Sequence, residues 1–145
     1  MPYTYDYPRP MVTVDILLVH RGEGGRSVLL IERGHPPFQG RWALPGGFLD
    51  EDEGLEAAAR RELAEETNLT DLELIQLGAW GDPGRDPRGH TVTVVFGAVL
   101  EEQSPREAVA GDDARDARWW PLEALPPLAF DHDRIIADGV RRLGK

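Results

Sequence analysis

Apolar and polar positions alternate or cluster along the chain in a way that divides it into short strands and two helices. Met11 to Val19 is a β-branched, apolar run of strand length, the pattern of a strand buried on both faces. Ser27 to Glu32 repeats it, and the Gly-rich turn from Arg21 to Arg26 makes the two a hairpin. His35 to Arg41, with a Pro pair and a Gly, reads as a loop, and Trp42 to Leu44 as a short strand. Leu72 to Trp80 and His90 to Leu100 read as strands on either side of the loop Gly81 to Gly89. Glu101 to Asp116 is an acidic loop, Ala117 to Pro121 a short strand and Leu122 to Pro127 a turn-like segment. A last helix runs from Asp131 to Leu143, capped at Phe130-Asp131, with Ile135, Ile136, Val140 and Leu143 on one face. Residues 1–10, rich in Tyr and Pro, are extended, as a lead-in strand or a dimer arm.

The middle of the chain departs from this simple burial pattern. From Gly54 to Glu66, Ala, Leu, Glu and Arg make a strong helix. Asp50 to Glu53 supply negative charge at its N-terminus, and Asn68 suits a left-handed C-cap. At about 100° per residue, Leu55, Ala58, Ala59 and Leu63 share the face that packs inward. Glu62 and Glu66 fall in the middle of that face, and Glu65 at its edge. Buried carboxylates must be paired, protonated or bound to metal. Arg60 and Arg61 point elsewhere on the helix, so an ion-pair partner has to come from another segment. The favoured reading is a hard divalent cation, Mg²⁺ or Mn²⁺.

Composition narrows the possibilities. The chain has 145 residues, which predicts one domain spanning 1–145, and a formal net charge of −10. So acidic a chain is poorly suited to bind nucleic acid non-specifically. There is no cysteine, hence no disulfide framework and no thiolate chemistry. No apolar run reaches membrane-spanning length. The first ten residues lack the marks of a secretory signal, so a cytoplasmic location is the default. Strands, a helix, strands and a final helix predict an α/β sandwich with a mixed sheet.

The spacing in the central segment is specific. Gly47 is followed by Glu53, by Arg61-Glu62-Leu63, by Glu65-Glu66 and by Leu69. This resembles the Nudix box in every position but one, where Asn68 replaces a Gly; Asn is the next-best residue for a left-handed backbone. Arg41 to Gly46, just upstream, is also similar to members of that family. An EF-hand, suggested by Asp50 and Asp52, fails because its Gly and final Glu positions hold Leu55 and Arg61.

The resemblance implies a Nudix-type α/β/α sandwich and Mg²⁺-dependent hydrolysis of a nucleoside diphosphate derivative. It makes Glu62 and Glu66 metal ligands, with Glu65 a third and the Gly46 carbonyl a further one. Arg61 would orient these carboxylates and Glu53 would support it. Pro83 and the run Pro83 to Val92 resemble the subgroup that cleaves ADP-ribose to AMP and ribose 5-phosphate. Arg41, Arg85, Arg88 and His90 are then candidate substrate contacts, although each Arg could be a solvated loop cation and His90 a capping or core residue. Phe130 could stack on adenine or serve as a hydrophobic staple. Asp112 or Asp113 is the candidate base, chosen from Glu101, Glu102, Glu107, Asp112 and Asp113, with Glu62 the alternative. Trp42, Trp119 and Trp120 read as core or interface residues. A homodimer follows from the resemblance alone. Two other readings stay open: a Nudix hydrolase of another nucleotide (a dinucleoside polyphosphate, an NAD(H)-like dinucleotide or a damaged nucleoside triphosphate), and a non-catalytic ligand sensor. The intact Glu62, Glu65 and Glu66 set, and only Gly144 and Lys145 beyond the last helix, weigh against the sensor.

Overall fold

The computed structural model describes residues 4–101 and 114–144. Nine elements follow one another: β1 (Met11–Gly22), β2 (Gly25–Arg33), β3 (Trp42–Ala43), β4 (Gly46–Phe48), α1 (Leu55–Thr67), β5 (Ile75–Trp80), β6 (Thr91–Leu100), β7 (Ala114–Pro121) and α2 (His132–Leu143). The strands form one sheet in the order β3-β2-β1-β6-β5, with β4 on β1 and β7 on β2. Among the described strands, only β1 and β6 pair in parallel; the other strand pairings are antiparallel. The sheet is therefore mixed, as expected.

A helix covers each face. Val14, Ile16 and Leu18 of β1 pack with Ala58, Ala59 and Leu63 of α1. Leu17 and Val19 pack with Ile135 and Ile136 of α2, joined by Val140 and Leu143. Successive side chains of a strand point to opposite faces, so a strand between two helices needs apolar residues at both parities. That requirement is why β1 reads as an unbroken apolar run.

Several boundaries differ from expectation. The hairpin turn shrinks to Glu23-Gly24, because pairing runs out to Gly22↔Gly25. Leu72 and Leu74 are buried without being in a strand, so β5 starts only at Ile75. The strand expected from Ala117 begins at Ala114, since β2 offers partners as far as Arg33. Asn68 takes the left-handed C-cap conformation at φ 62° and donates to the Ala64 carbonyl. Gly54, not an acidic side chain, is the N-cap of α1.

The strand pairing opens a hollow. One edge of β1 is paired with β2 from Val19 to Gly22, and with β4 from Thr13 to Asp15. Between these two stretches β2 diverges towards β3 and β7, leaving a fork. A cavity of about 420 Å³ lies there, lined by Thr13 and Asp15 of β1, Ile31 and Arg33 of β2, and Gly46 to Phe48 of β4, among others.

Candidate functional site

Helix α1 forms one wall of the cavity. Glu62 and Glu66 line it together with Gly46, Gly47 and Asp50. Glu66 is buried and accepts the Gly46 N–H at 2.7 Å through Oε1. A side chain at Gly47 would collide with the Glu62 carboxylate, so only glycine lets β4 approach so closely. Glu65 points outward, its side chain 58% exposed, and it does not line the cavity.

Arg61 ties this wall together. It grips Glu53 with two hydrogen bonds, at 2.8 and 2.9 Å, and donates to the Phe48 carbonyl at 3.0 Å. It also reaches Glu62 at 3.1 Å, Glu65 at 3.2 Å and Asp50 at 3.3 Å. The expectation that Arg61 points away from the helix carboxylates is corrected here: the long guanidinium stem curls back over its own neighbours. The Arg61 hydrogen bonds hold the Glu53 carboxyl down at about 2, and the charge on Arg61 is reinforced in turn. Glu53 also accepts the Asp50 N–H at 2.9 Å, closing the turn before α1.

The opposite wall is cationic: Arg33, Arg85 and Arg88 line it with Asp86, Phe130 and His132. Arg85 is clamped by Asp131 through two bonds, at 2.9 and 2.7 Å, in a buried pair. Burial works against the Arg85 charge, but Asp131 outweighs it and the guanidinium is held more firmly protonated than usual. Asp131 is the N-cap of α2, as expected, but makes no side-chain cap bond, because Arg85 engages both its oxygens. Arg88 is held by Asp86 at 3.1 and 2.9 Å. Burial would raise the Asp86 carboxyl, yet the Arg88 side chain and backbone bonds bring it below the ordinary range. Arg33, which no sequence pattern singles out, donates from Nε to the Pro37 carbonyl at 2.7 Å. Burial and the neighbouring Arg88 press its guanidinium below the usual value.

Aromatic rings finish the rim. Phe38 and Phe130 meet edge to face at 4.9 Å, and both have positive φ, 59° and 52°. Bulky residues seldom occupy that region, and such strain gathers at functional sites. Arg33 and Arg88 both stand over the Phe130 ring, at 5.1 and 5.4 Å.

The floor is polar and buried. Asp15 accepts from the Thr93 hydroxyl at 2.6 Å, and His132 Nδ1 accepts the Leu44 N–H at 3.0 Å. Burial pushes the Asp15 carboxyl up to about 7, partly offset by Thr93, and pushes His132 down to about 3. Asp15 did not stand out in the sequence. An Asp inside the apolar run of β1 was the one available signal for Asp15.

The fold thus gathers Gly46, Glu62, Glu66, Arg85, Arg88 and Phe130 around one cavity. It does not bring His90 or Arg41 there. His90 Nε2 sits 2.8 Å from the Gly81 carbonyl, at the base of the 81–90 loop. Arg41 reaches the Leu128 carbonyl at 3.4 Å and stands over Phe38. Trp42 and Trp120 pack on the α2 side and Trp119 on the α1 side, all away from the cavity. Asp112 and Asp113, with Glu102 and Glu107, lie outside the described residues; Glu101 pairs with Arg21.

Among the described residues, no three His, Cys, Asp or Glu side chains are gathered into a closed metal cage. Glu62, Glu66 and the Gly46 carbonyl nonetheless offer a hard-oxygen donor set, and the missing side chain at Gly47 leaves room beside Glu62. Such a partial set suits Mg²⁺, which keeps several waters and takes few protein ligands.

Comparison with known proteins adds to this geometry. The NUDIX domain family model matches residues 9–139. The ADP-ribose pyrophosphatase of Methanocaldococcus jannaschii is 43% identical over 135 residues, 93% of this chain and 76% of that protein. The ADPR responsive transcriptional repressor NtrR of Acinetobacter baylyi is 37% identical over 142 residues, 95% of this chain and 56% of the repressor. This chain therefore spans little more than half of the repressor's length. The solved NUDIX domain of Shewanella oneidensis NrtR, complexed with ADP ribose, superposes with a TM-score of 0.84 at 39% identity, covering 95% of this chain and 93% of that one.

Proposed function

The chain belongs to the NUDIX domain family, and we propose that within it this protein hydrolyses the pyrophosphate of ADP-ribose to AMP and ribose 5-phosphate with the help of Mg²⁺. The observation that carries this reading is the similarity to an ADP-ribose pyrophosphatase through 93% of the chain. The cavity agrees with it. A diphosphate needs cations on all sides, and the Arg33, Arg85 and Arg88 wall faces the carboxylates that would hold the metal. Glu62 and Glu66 are the side chains placed for that task, with Gly46 beside them. When bound, Mg²⁺ would neutralise the diphosphate and make a bound water more acidic. Arg61 fixes Glu62 by direct contact and is itself anchored by Glu53. Arg85 and Arg88 cannot swing freely, since Asp131 and Asp86 hold them, so they present a fixed field to the ligand. Phe130 offers a ring face at the rim for a base.

A second reading has its own support. Similarity to the ADP-ribose-complexed domain and to the ADP-ribose-responsive repressor favours a protein that binds ADP-ribose without cleaving it. One experiment separates the two. A nucleotide panel is incubated with Mg²⁺ in ¹⁸O-water and products are read by mass. The hydrolase yields AMP and ribose 5-phosphate, one of them carrying ¹⁸O. Tight binding of ADP-ribose with no product would make the sensor reading the correct one, and cleavage of another nucleotide alone would redirect the substrate assignment.

A further inference from the structure

The cavity floor holds two polar atoms side by side that the fold itself does not use. Asp15 is buried, and its two oxygens differ: Oδ2 accepts from Thr93, whereas Oδ1 lies 3.6 Å from His132 Nε2, beyond hydrogen-bond reach. His132 Nδ1 accepts the Leu44 N–H, so the ring proton sits on Nε2. Among the described residues neither Asp15 Oδ1 nor His132 Nε2 makes a hydrogen bond. Neither atom is sealed from the cavity: among the described residues, Trp120 Nε1 is the one fully buried side-chain polar atom left without a partner. Both residues line the cavity, and Gly46 keeps the approach clear, because a side chain there would stand 2.5 Å from Asp15 Oδ1. An acceptor and a donor, adjacent and unused, thus face the same ligand space.

We propose that Asp15 Oδ1 and His132 Nε2 form a recognition pair for a neutral ligand group that donates and accepts hydrogen bonds at once, either a sugar hydroxyl or the Watson–Crick edge of adenine. A phosphate belongs opposite, against the arginines. The inference rests on the nucleotide-sugar reading above and adds to it the residues that select the neutral part of the substrate.

The test compares Asp15→Leu, which removes the acceptor at similar volume, with Asp15→Asn, which keeps one. KM and kcat are measured for ADP-ribose, for inosine diphosphate ribose, whose base edge inverts donor and acceptor, and for ADP-glucose, whose sugar differs. Asp15→Leu is expected to raise KM for ADP-ribose by about 10- to 100-fold with a smaller change in kcat. Asp15→Asn stays within about threefold, as expected when an acceptor is retained. Asp15→Leu also leaves the buried Thr93 hydroxyl without its acceptor, so circular dichroism and the unfolding midpoint are recorded beside KM, and the folded variant's KM is the readout. If the leucine variant loses its preference for ADP-ribose over the inosine analogue, the pair reads the base; if it loses preference over ADP-glucose, the pair reads the sugar. Unchanged KM values in Asp15→Leu, or equal losses in both variants, overturn the proposal. Should the unaltered protein cleave none of the three, the proposed function falls, and calorimetric titration with adenosine and with ribose 5-phosphate decides the pair separately. Weaker binding of either compound by Asp15→Leu supports it; equal binding, or no binding of either by the unaltered protein, refutes it.

Discussion

The two charged walls of the cavity are built in opposite ways. The carboxylate wall is local: Gly46, Gly47, Glu53, Arg61, Glu62 and Glu66 fall within 21 residues of sequence; the Arg61 guanidinium braces Glu53 and Glu62, and the Gly46 N–H holds Glu66. The arginine wall is assembled from afar. Arg33 leaves β2, Arg85 and Arg88 come from the loop before β6, and the Asp131 that holds Arg85 precedes α2. Each wall keeps its charge by placing the opposite charge behind it. The difference is that a helix can fix its carboxylates by periodicity alone, whereas a loop needs a buried partner to hold an arginine still. Charged groups fixed before the ligand arrives need no rearrangement as it binds, which is the general advantage of a preorganised site.

The contrast can be broken most severely at the carboxylate wall. Glu66→Gln should lower kcat for Mg²⁺-dependent hydrolysis by about a thousandfold, the scale of losing a group that holds charge in the reacting centre. A steady-state assay beside circular dichroism checks it, and full activity in this variant would show that Glu66 does not hold the metal. At the arginine wall the expected damage is to folding. Arg85→Ala leaves Asp131 with an uncompensated charge in a pair whose side chains are only 6% and 16% exposed, so urea unfolding should lose about 3–5 kcal/mol. Joint replacement of Arg85 by Met and Asp131 by Leu should recover most of that loss. Additive losses instead would mean that the two residues are not coupled.

The floor gives a smaller effect with a definite sign. His132, ordinarily near 6.5, lies at about 3 in the folded chain. Its contribution to stability is therefore present above pH 6.5 and is lost as pH falls towards 3. Asp15, ordinarily near 3.8, lies at about 7. The folded state favours its protonated form, so its contribution is greatest below pH 3.8 and is lost as pH rises towards 7. Between these limits the two slopes oppose each other. Asp15→Leu should leave the His132 slope exposed, so that stability rises between pH 4 and 6 by up to about 1.4 kcal/mol per unit relative to the unaltered protein. Urea titrations with chelator present at several pH values measure this, and parallel pH curves for the two proteins would contradict it. The smallest expected effect is at the C-cap of α1. Asn68→Gly relieves a left-handed position and should stabilise by no more than about 1 kcal/mol, visible as a small rise in thermal midpoint.

The central helix, its inward glutamates and the hairpin were legible in the sequence because each is written in local periodicity or spacing. Glu62 and Glu66 do face inward with Ala58, Ala59 and Leu63, as the helical wheel requires. The residues that face them were not legible to the same degree. Arg85 and Arg88 could be picked out as loop cations, but nothing local told which carboxylates would hold them. Arg33 falls just beyond the strand expected to end at Glu32, and His132 within the helix expected from Asp131. Arg41 and His90, equally plausible by composition, are carried outside the cavity.

By itself, then, the sequence determined most of the elements, the buried faces of the two helices and the spacing of the α1 carboxylates, since these depend on neighbours a few residues apart; the three-residue β4 carried no such pattern. The tertiary structure alone decided that β1 would switch partners from β4 to β2 and open a cavity between them, and that Asp15 and His132, 117 positions apart in the chain, would meet on its floor. The physical reason is that strand register and buried charge pairing are set by distance in space, for which no local pattern of residues carries a signal.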